Sequence, residues 1–203
     1  MNAPTFNHGG LFLDRDGVIN VDRGYVYRPE DFEFIEGIFA VVRRAADLGL
    51  RSVVVTNQAG IARGYYTERD FQDLTGWMCE RFAAEGAPLA AVYHCPYHRE
   101  GIGQWRVDDH PDRKPNPGMI LAALRDLELD ARCSVLVGDK EHDILAARRA
   151  NLGAAALFAP TDEVPDALAD EVLADHRATL LWLERVAPTL RAGARRPLPV
   201  SRR

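Results

Sequence analysis

Four short polar clusters hold the residues that could do chemistry. Asp14 and Asp16 stand two apart after the apolar run Leu11-Phe12-Leu13, with Gly17 next. Thr56-Asn57-Gln58 follows Val53-Val54-Val55, and Asp139-Lys140 follows Val135-Leu136-Val137-Gly138. Arg113-Lys114 precedes Pro115-Asn116-Pro117, where a helix could begin. Residues i and i+2 of a strand point the same way, so the two aspartates could share one site. Crowded carboxylates repel, and a hard cation is a common way to hold them together. On these residues alone, a strand running into an acidic turn accounts for the first cluster equally well, because Asp and Gly are ordinary turn residues.

The inventory narrows the chemistry. No Gly-x-Ser-x-Gly elbow is present, which argues against acyl transfer through serine. No phosphate-cradling Gly-x-x-x-x-Gly-Lys-Ser/Thr loop occurs, and Gly101-Ile102-Gly103 lacks the third glycine of a dinucleotide fingerprint. Phosphoryl transfer with oxygen ligands and a hard cation fits what remains. Asp14 and Asp139 could hold Mg²⁺. Thr56 and Lys114 could supply a hydrogen bond and a positive charge to the phosphoryl oxygens. One aspartate could attack phosphorus, and the other could protonate the leaving oxygen and then deprotonate water.

These clusters must be positioned by the elements around them. Short apolar runs at Leu11 to Leu13, Val53 to Val55, Ala90 to Tyr93, Val135 to Val137 and Ala154 to Phe158 read as buried strands, with Glu171 to Leu173 a short edge strand. Helical spacing recurs over Gly37 to Leu48, Thr67 to Glu85, the segment after Pro117, Asp143 to Asn151 and Ala178 to Leu190. Asn116 is the expected N-cap of the third of these, with Pro117 at its first position. Strands alternating with helices predict an α/β fold: a Rossmann-like parallel sheet with helices on both faces. Ligands of such sheets bind at the carboxyl ends of the strands, where the polar clusters lie. The aromatic segment Ile19 to Glu36 is expected to fold over the site.

The chain has 203 residues, enough for one substantial domain, and its net charge of −5 argues against a nucleic-acid partner. No apolar run approaches the roughly 20 residues of a membrane span, and no secretory signal is evident. Three cysteines make no disulfide framework, which fits the cytoplasm. Residues 1–10 are expected to be a flexible lead-in, 11–190 a single domain, and 191–203 a disordered basic tail. Cys79 and Cys133 read as core, Trp77 as packing, His94 as hydrogen-bonded structure and His142 as a solvated helix residue.

Asp14-Arg15-Asp16-Gly17, Val55-Thr56-Asn57, Lys114 before a helix, and Gly138-Asp139 with Asp143 resemble the four motifs of the haloacid dehalogenase superfamily phosphatases. Longer stretches, among them Asp14 to Asn20, Gly24-Tyr25-Val26, Thr56 to Gly64 and Arg113 to Met119, are similar to the branch that acts on sugar bisphosphates and histidinol phosphate. The resemblance covers about residues 11–159 and implies a haloacid dehalogenase-like sheet with no large cap domain. It implies Asp14 as nucleophile, Asp16 as general acid/base, and Thr56 and Lys114 as stabilisers of the phosphoryl group. Mg²⁺ would be held by Asp14, Asp139 and the backbone carbonyl of Asp16. Arg113 would recognise the substrate, and Asp22, Gly24, Tyr25, Asn57, Gln58 and Lys140 would line its pocket, with a plain ion pair the equal alternative for Lys140. Arg63 is a candidate for a distal phosphate on its charge alone.

The implied substrate is a heptose bisphosphate, hydrolysed at its 7-phosphate in the supply of lipopolysaccharide precursors. Histidinol phosphate is the alternative, and a phospho-accepting receiver domain is the non-enzymatic one. The chain is expected to act as a cytoplasmic monomer. Relatives carry a zinc loop with Cys-x-His and Cys-x-Cys. Here only Cys95 fits that spacing, leaving His98, His110 and Asp112 as the other donors of a degenerate zinc site. A metal-free lid over residues 95–112 is the favoured expectation.

Overall fold

The computed structural model describes residues 8–160 and 168–194. Six parallel strands form one sheet: β1 (Gly9–Leu13), β2 (Leu50–Asn57), β3 (Ala91–Cys95), β4 (Val135–Gly138), β5 (Ala154–Phe158) and β6 (Glu171–Leu173). Their order is β3-β2-β1-β4-β5-β6, so the chain winds outward first to one side of β1 and then to the other. The carboxyl end of β1 lies at this reversal, the point where open α/β sheets leave a crevice.

The alternation of the strands divides the core. Leu11, Leu13, Val54, Val135 and Val137 face α1 (Ile38–Asp47), α3 (Glu68–Ala84) and α6 (His176–Ala194). Phe12, Val53, Val55, Leu136, Ala155 and Leu157 face α4 (Gly118–Asp126) and α5 (Glu141–Arg149). Both faces are covered, which is why the strands read as continuous apolar runs. Truncating a side chain such as the fully buried Phe12 would cost about 3–5 kcal/mol. The ladders level the strand ends, with Leu13 opposite Val54 on one side and Val137 on the other.

Several boundaries differ from expectation. Strand β1 begins at Gly9, inside the expected lead-in, because Gly9 and Gly10 already pair with Leu50 and Arg51 of β2; a Cβ at Gly9 would lie 2.0 Å from the Cys133 carbonyl oxygen. Residues 1–7 of that lead-in lie outside the described residues, as do 195–203 of the expected tail. Helix α6 continues to Ala194 and so absorbs the start of that tail. Pro117, not Asn116, is the N-cap of α4; the Asn116 amide instead bonds the His110 carbonyl and accepts from Arg149. Helix α3 does open with the capping box of Thr67 and Asp70. A four-residue helix, α2 (Ala59–Ala62), follows the Thr56 cluster and has too few residues for a periodic signal. Residues 96–117 contain a single 3₁₀ turn at Gly103–Trp105 and no added domain.

Candidate active site

The tips of β1, β2 and β4 meet at a buried cluster of charge. Lys114 is fully buried, and its Nζ lies 2.9 Å from Asp14 Oδ1 and 2.6 Å from Asp143 Oδ1 while donating to the Val55 carbonyl at 2.8 Å. Burial alone would push this lysine down, but Asp14 and Asp143 outweigh it and hold its pKa above the ordinary value. Asn57 fixes the lysine's backbone from the tip of β2: its Nδ2 donates to the Lys114 carbonyl and its Oδ1 accepts from the Lys114 amide. The amide expected to face substrate is therefore spent largely on holding Lys114.

Carboxylate oxygens of Asp14, Asp139 and Asp143 lie within 4.8 Å of one another, and this is the one such acidic group among the described residues. Asp139 Oδ1 is buried with no hydrogen-bond partner. Burial, and then the negative charge of Asp14, push the Asp139 carboxyl up to about 7. A divalent cation would relieve both conflicts, and hard oxygen donors suit Mg²⁺. Gly17 makes room for this arrangement, since a Cβ there would fall 2.3 Å from Asp139 Oδ2, and its φ is +91°. Asp143 is already engaged by Lys114 and by the Lys140 amide, which makes it the orienting member of the group. Sequence reasoning placed Asp143 in a motif but gave it no role; its signal is the spacing Asp139-x-x-x-Asp143 across the start of α5.

The Asp16 carboxylate is not part of the Asp14, Asp139 and Asp143 group, contrary to the i, i+2 argument. Strand geometry ends at Leu13, and the chain then curls so that the amides of Ile19 and Asn20 both bond the Arg15 carbonyl. The Asp16 carboxylate consequently points elsewhere, accepting from Arg15 Nε at 3.1 Å, Arg15 Nη2 at 2.9 Å, Asn20 Nδ2 at 3.1 Å and Gln58 Nε2 at 3.1 Å. Arg15 is itself buried and also bonds the Val26 carbonyl. Thr56 is buried beside Asp16, and its Oγ1 accepts from Gln58 Nε2 at 2.8 Å.

Two cavities of about 330 Å³ open beside these groups. One is lined by Asp16, Asp22, Gly24, Tyr25, Asn57, Gln58 and Lys140, bringing together the expected pocket residues. Lys140 there makes ion pairs with both Asp22 at 3.1 Å and Asp139 at 3.3 Å. Burial would lower its pKa, but Asp139 and Asp22 hold it above the ordinary value. The other cavity is lined by Asn57, His98, Arg99, Arg113, Lys114 and His142 among others. His142, expected to be solvated, is thus a wall residue and sits 3.5 Å from Asp143 Oδ1. Burial, and the nearby charges of Arg63 and Arg99, lower the Arg113 pKa; its Nη1 bonds the Tyr97 carbonyl. Arg63 lines neither cavity and pairs with Tyr25 and Glu100. Larger cavities of about 870 and 660 Å³ lie to either side, and none of Asp14, Lys114 or Asp139 lines them.

The aromatic segment after Asp16 divides. Val26 and Phe32 enter the core, Phe32 and Phe34 packing on Trp77, while Tyr25 stays at the rim. Over residues 95–112 no three zinc donors converge. Cys95 Sγ is 3.9 Å from His110 Nδ1, but that nitrogen accepts the Asp112 amide and its ring stacks on Tyr97. His98 Nδ1 accepts the Glu100 amide. Burial raises the Cys95 thiol pKa to about 11. Cys133 is buried and His94 bonds Glu68 and stacks on Phe71, as expected, whereas Cys79 is only half-buried, packed against the edge of the core.

Comparisons with known proteins converge. A HAD-hydrolase-like family model matches residues 112–178. The chain is 56% identical over 153 residues to D-glycero-alpha-D-manno-heptose-1,7-bisphosphate 7-phosphatase of Burkholderia mallei, covering 75% of this chain and 80% of that protein. It is 46% identical over 180 residues to the D-glycero-beta-D-manno-heptose-1,7-bisphosphate 7-phosphatase of Vibrio cholerae, covering 87% and 96%. Among solved structures, D,D-heptose 1,7-bisphosphate phosphatase of B. bronchiseptica, complexed with magnesium and phosphate, superposes with a TM-score of 0.72 at 27% identity, covering 87% of this chain and 98% of that one. No described helix is long and apolar enough to cross a membrane. The chain belongs to the D-glycero-D-manno-heptose-1,7-bisphosphate 7-phosphatase family of HAD-like hydrolases.

Proposed function

We propose that this chain hydrolyses the 7-phosphate of D-glycero-D-manno-heptose 1,7-bisphosphate in the cytoplasm, through an aspartyl-phosphate on Asp14. The observation that carries the reading is the Asp14 carboxylate held at 2.9 Å by the fully buried Lys114, at the tip of the central strand of a chain of this family. Asp14 attacks phosphorus and the bond from phosphorus to the C7 oxygen breaks, with Asp16 giving that oxygen its proton. Asp16 then takes a proton from water as the water attacks phosphorus, releasing inorganic phosphate and restoring Asp14. Lys114 and the Thr56 hydroxyl stabilise charge on the phosphoryl oxygens. Asp14, Asp139 and the Asp16 carbonyl are the candidate ligands of Mg²⁺, which supplies further charge neutralisation when bound. Asp22, Gly24, Tyr25 and Lys140 form one wall of the substrate pocket, and Arg113 the cationic side for the distal phosphate.

Phosphate release is measured from both anomers of the heptose bisphosphate and from histidinol phosphate, with and without Mg²⁺. Wild type is expected to turn over a heptose bisphosphate only with Mg²⁺, and Asp14→Asn to lose at least about 10³-fold in kcat. Full turnover by Asp14→Asn would overturn the mechanism, and a strong preference for histidinol phosphate would overturn the substrate.

A further inference from the structure

Tyr66 lies outside every motif that carries the chemistry, yet it is buried against the site. Its ring stacks on Tyr27 with centroids 5.1 Å apart and occupies the space that Gly60 leaves, since a Cβ on Gly60 would lie 2.1 Å from Tyr66 Cε1. Its hydroxyl meets Gln58 Oε1. The polarity of this contact follows from the far end of the amide. Gln58 faces the Asp16 carboxylate, an acceptor, so the nitrogen must lie on that side and the carbonyl on the side of Tyr66. Tyr66 is therefore the donor, and burial keeps its proton in place by pushing its pKa up. Both hydrogens of the Gln58 amide are then used, one on Asp16 and one on Thr56 Oγ1. A threonine hydroxyl has a single proton. Because Thr56 accepts from Gln58, that proton remains free to donate to a phosphoryl oxygen.

From this geometry we infer that Tyr66 is a positioning residue for phosphoryl transfer, acting through Gln58 to aim the Thr56 proton at the phosphoryl group and to hold the Asp16 carboxylate. With the amide reversed, Thr56 would spend its proton on Gln58 Oε1, and that oxygen would face Asp16. Hydrogen bonds running in one direction reinforce each other, from the Tyr66 hydroxyl through the amide to Thr56. The inference rests on the phosphatase reading and assigns a function to Gln58, Gly60 and Tyr66 that pocket lining does not.

The test compares wild type with Tyr66→Phe, which keeps the ring and loses the hydroxyl. On the heptose bisphosphate with Mg²⁺, kcat should fall about fivefold to tenfold with KM held within twofold. In the metal-free protein, NMR should show the Gln58 side-chain amide protons exchanging with water faster in Tyr66→Phe than in wild type. Gln58→Glu tests the next link of the same chain, the donation from Gln58 to Thr56, and stands in if Tyr66→Phe does not fold. Its ionised carboxylate cannot donate to Thr56, so its kcat relative to wild type should be low at neutral pH and recover only in part on acidification, as a protonated carboxyl has one hydrogen to donate where the amide has two. Wild-type kcat in Tyr66→Phe, a rise in KM that accounts for the whole loss, or a pH-independent loss in Gln58→Glu would overturn the inference. Wild-type turnover abolished by Asp14→Asn upholds the phosphatase reading independently of these results.

Discussion

The cluster around Lys114 and the lid over residues 95–112 hold charged residues in opposite ways. At the cluster, three carboxylates and one lysine are packed closely and largely buried at the carboxyl edge of the sheet. Each charge there depends on the others, because burying an unpaired one is costly. In the lid, Glu100 is exposed and pairs with Arg63 from the loop after α2, while its amide donates to His98 Nδ1. Such contacts in water are worth little each. The proposed catalytic groups therefore sit where the fold cannot change cheaply, and the lid proposed to face the substrate sits where it can.

The comparison is sharpened most by Lys114→Met, which leaves Asp14 and Asp143 facing each other in a buried site. A loss of about 3–5 kcal/mol by denaturant unfolding is expected, along with activity; a stable, inactive variant would mean the cluster tolerates unpaired charge. Gly17→Ala comes next. It places a methyl against the Asp139 carboxylate at a left-handed backbone angle, with an expected cost of about 1–3 kcal/mol and weaker Mg²⁺ binding by titration calorimetry. Unchanged Mg²⁺ affinity would take Asp139 out of the metal site.

A smaller effect belongs to His176, buried beneath the site loop with its Nε2 2.8 Å from the Val18 carbonyl. Burial lowers its pKa below 6.5, more than the Val18 bond raises it. The folded state thus favours neutral His176, and its stability contribution is present above about pH 6.5 and lost as pH falls through the lower folded value. Thermal unfolding of wild type should fall off more steeply below pH 6.5 than that of His176→Gln. Least affected should be His98→Ala and His110→Ala, each within about 0.5 kcal/mol of wild type, with no zinc stoichiometric to protein by elemental analysis. Stoichiometric zinc lost in His110→Ala would erase the contrast between lid and cluster.

What could be read before the fold was known follows the same division. The strands of the sheet are short apolar runs, so their polar tips were visible: Asp14, Lys114 and Asp139 do come together, and Thr56 lies at the tip of the neighbouring strand β2. Helices α1 and α3 showed their periodicity, while α2 was too short to show any. The reading failed where direction depends on the chain's path after an element ends. Asp16 departs from its strand-like partner because the curl after Leu13 turns it toward Arg15 and Gln58. Asn57 looks like a pocket residue until the loop carrying Lys114 is folded onto it. Tyr66 was invisible because its position depends on a glycine six residues earlier having no side chain.

The pairing of the central strands carries one more consequence. With Leu13 opposite both Val54 and Val137, the residues that follow on β1, β2 and β4 reach the site at fixed heights. A slip of one residue would move a strand tip by about 3.3 Å and turn its side chains to the other face. That displacement exceeds the 2.9 Å reach between Lys114 and Asp14. The backbone ladder is thus the ruler of the active site, and apolar substitutions that loosen it should blunt catalysis before they unfold the protein.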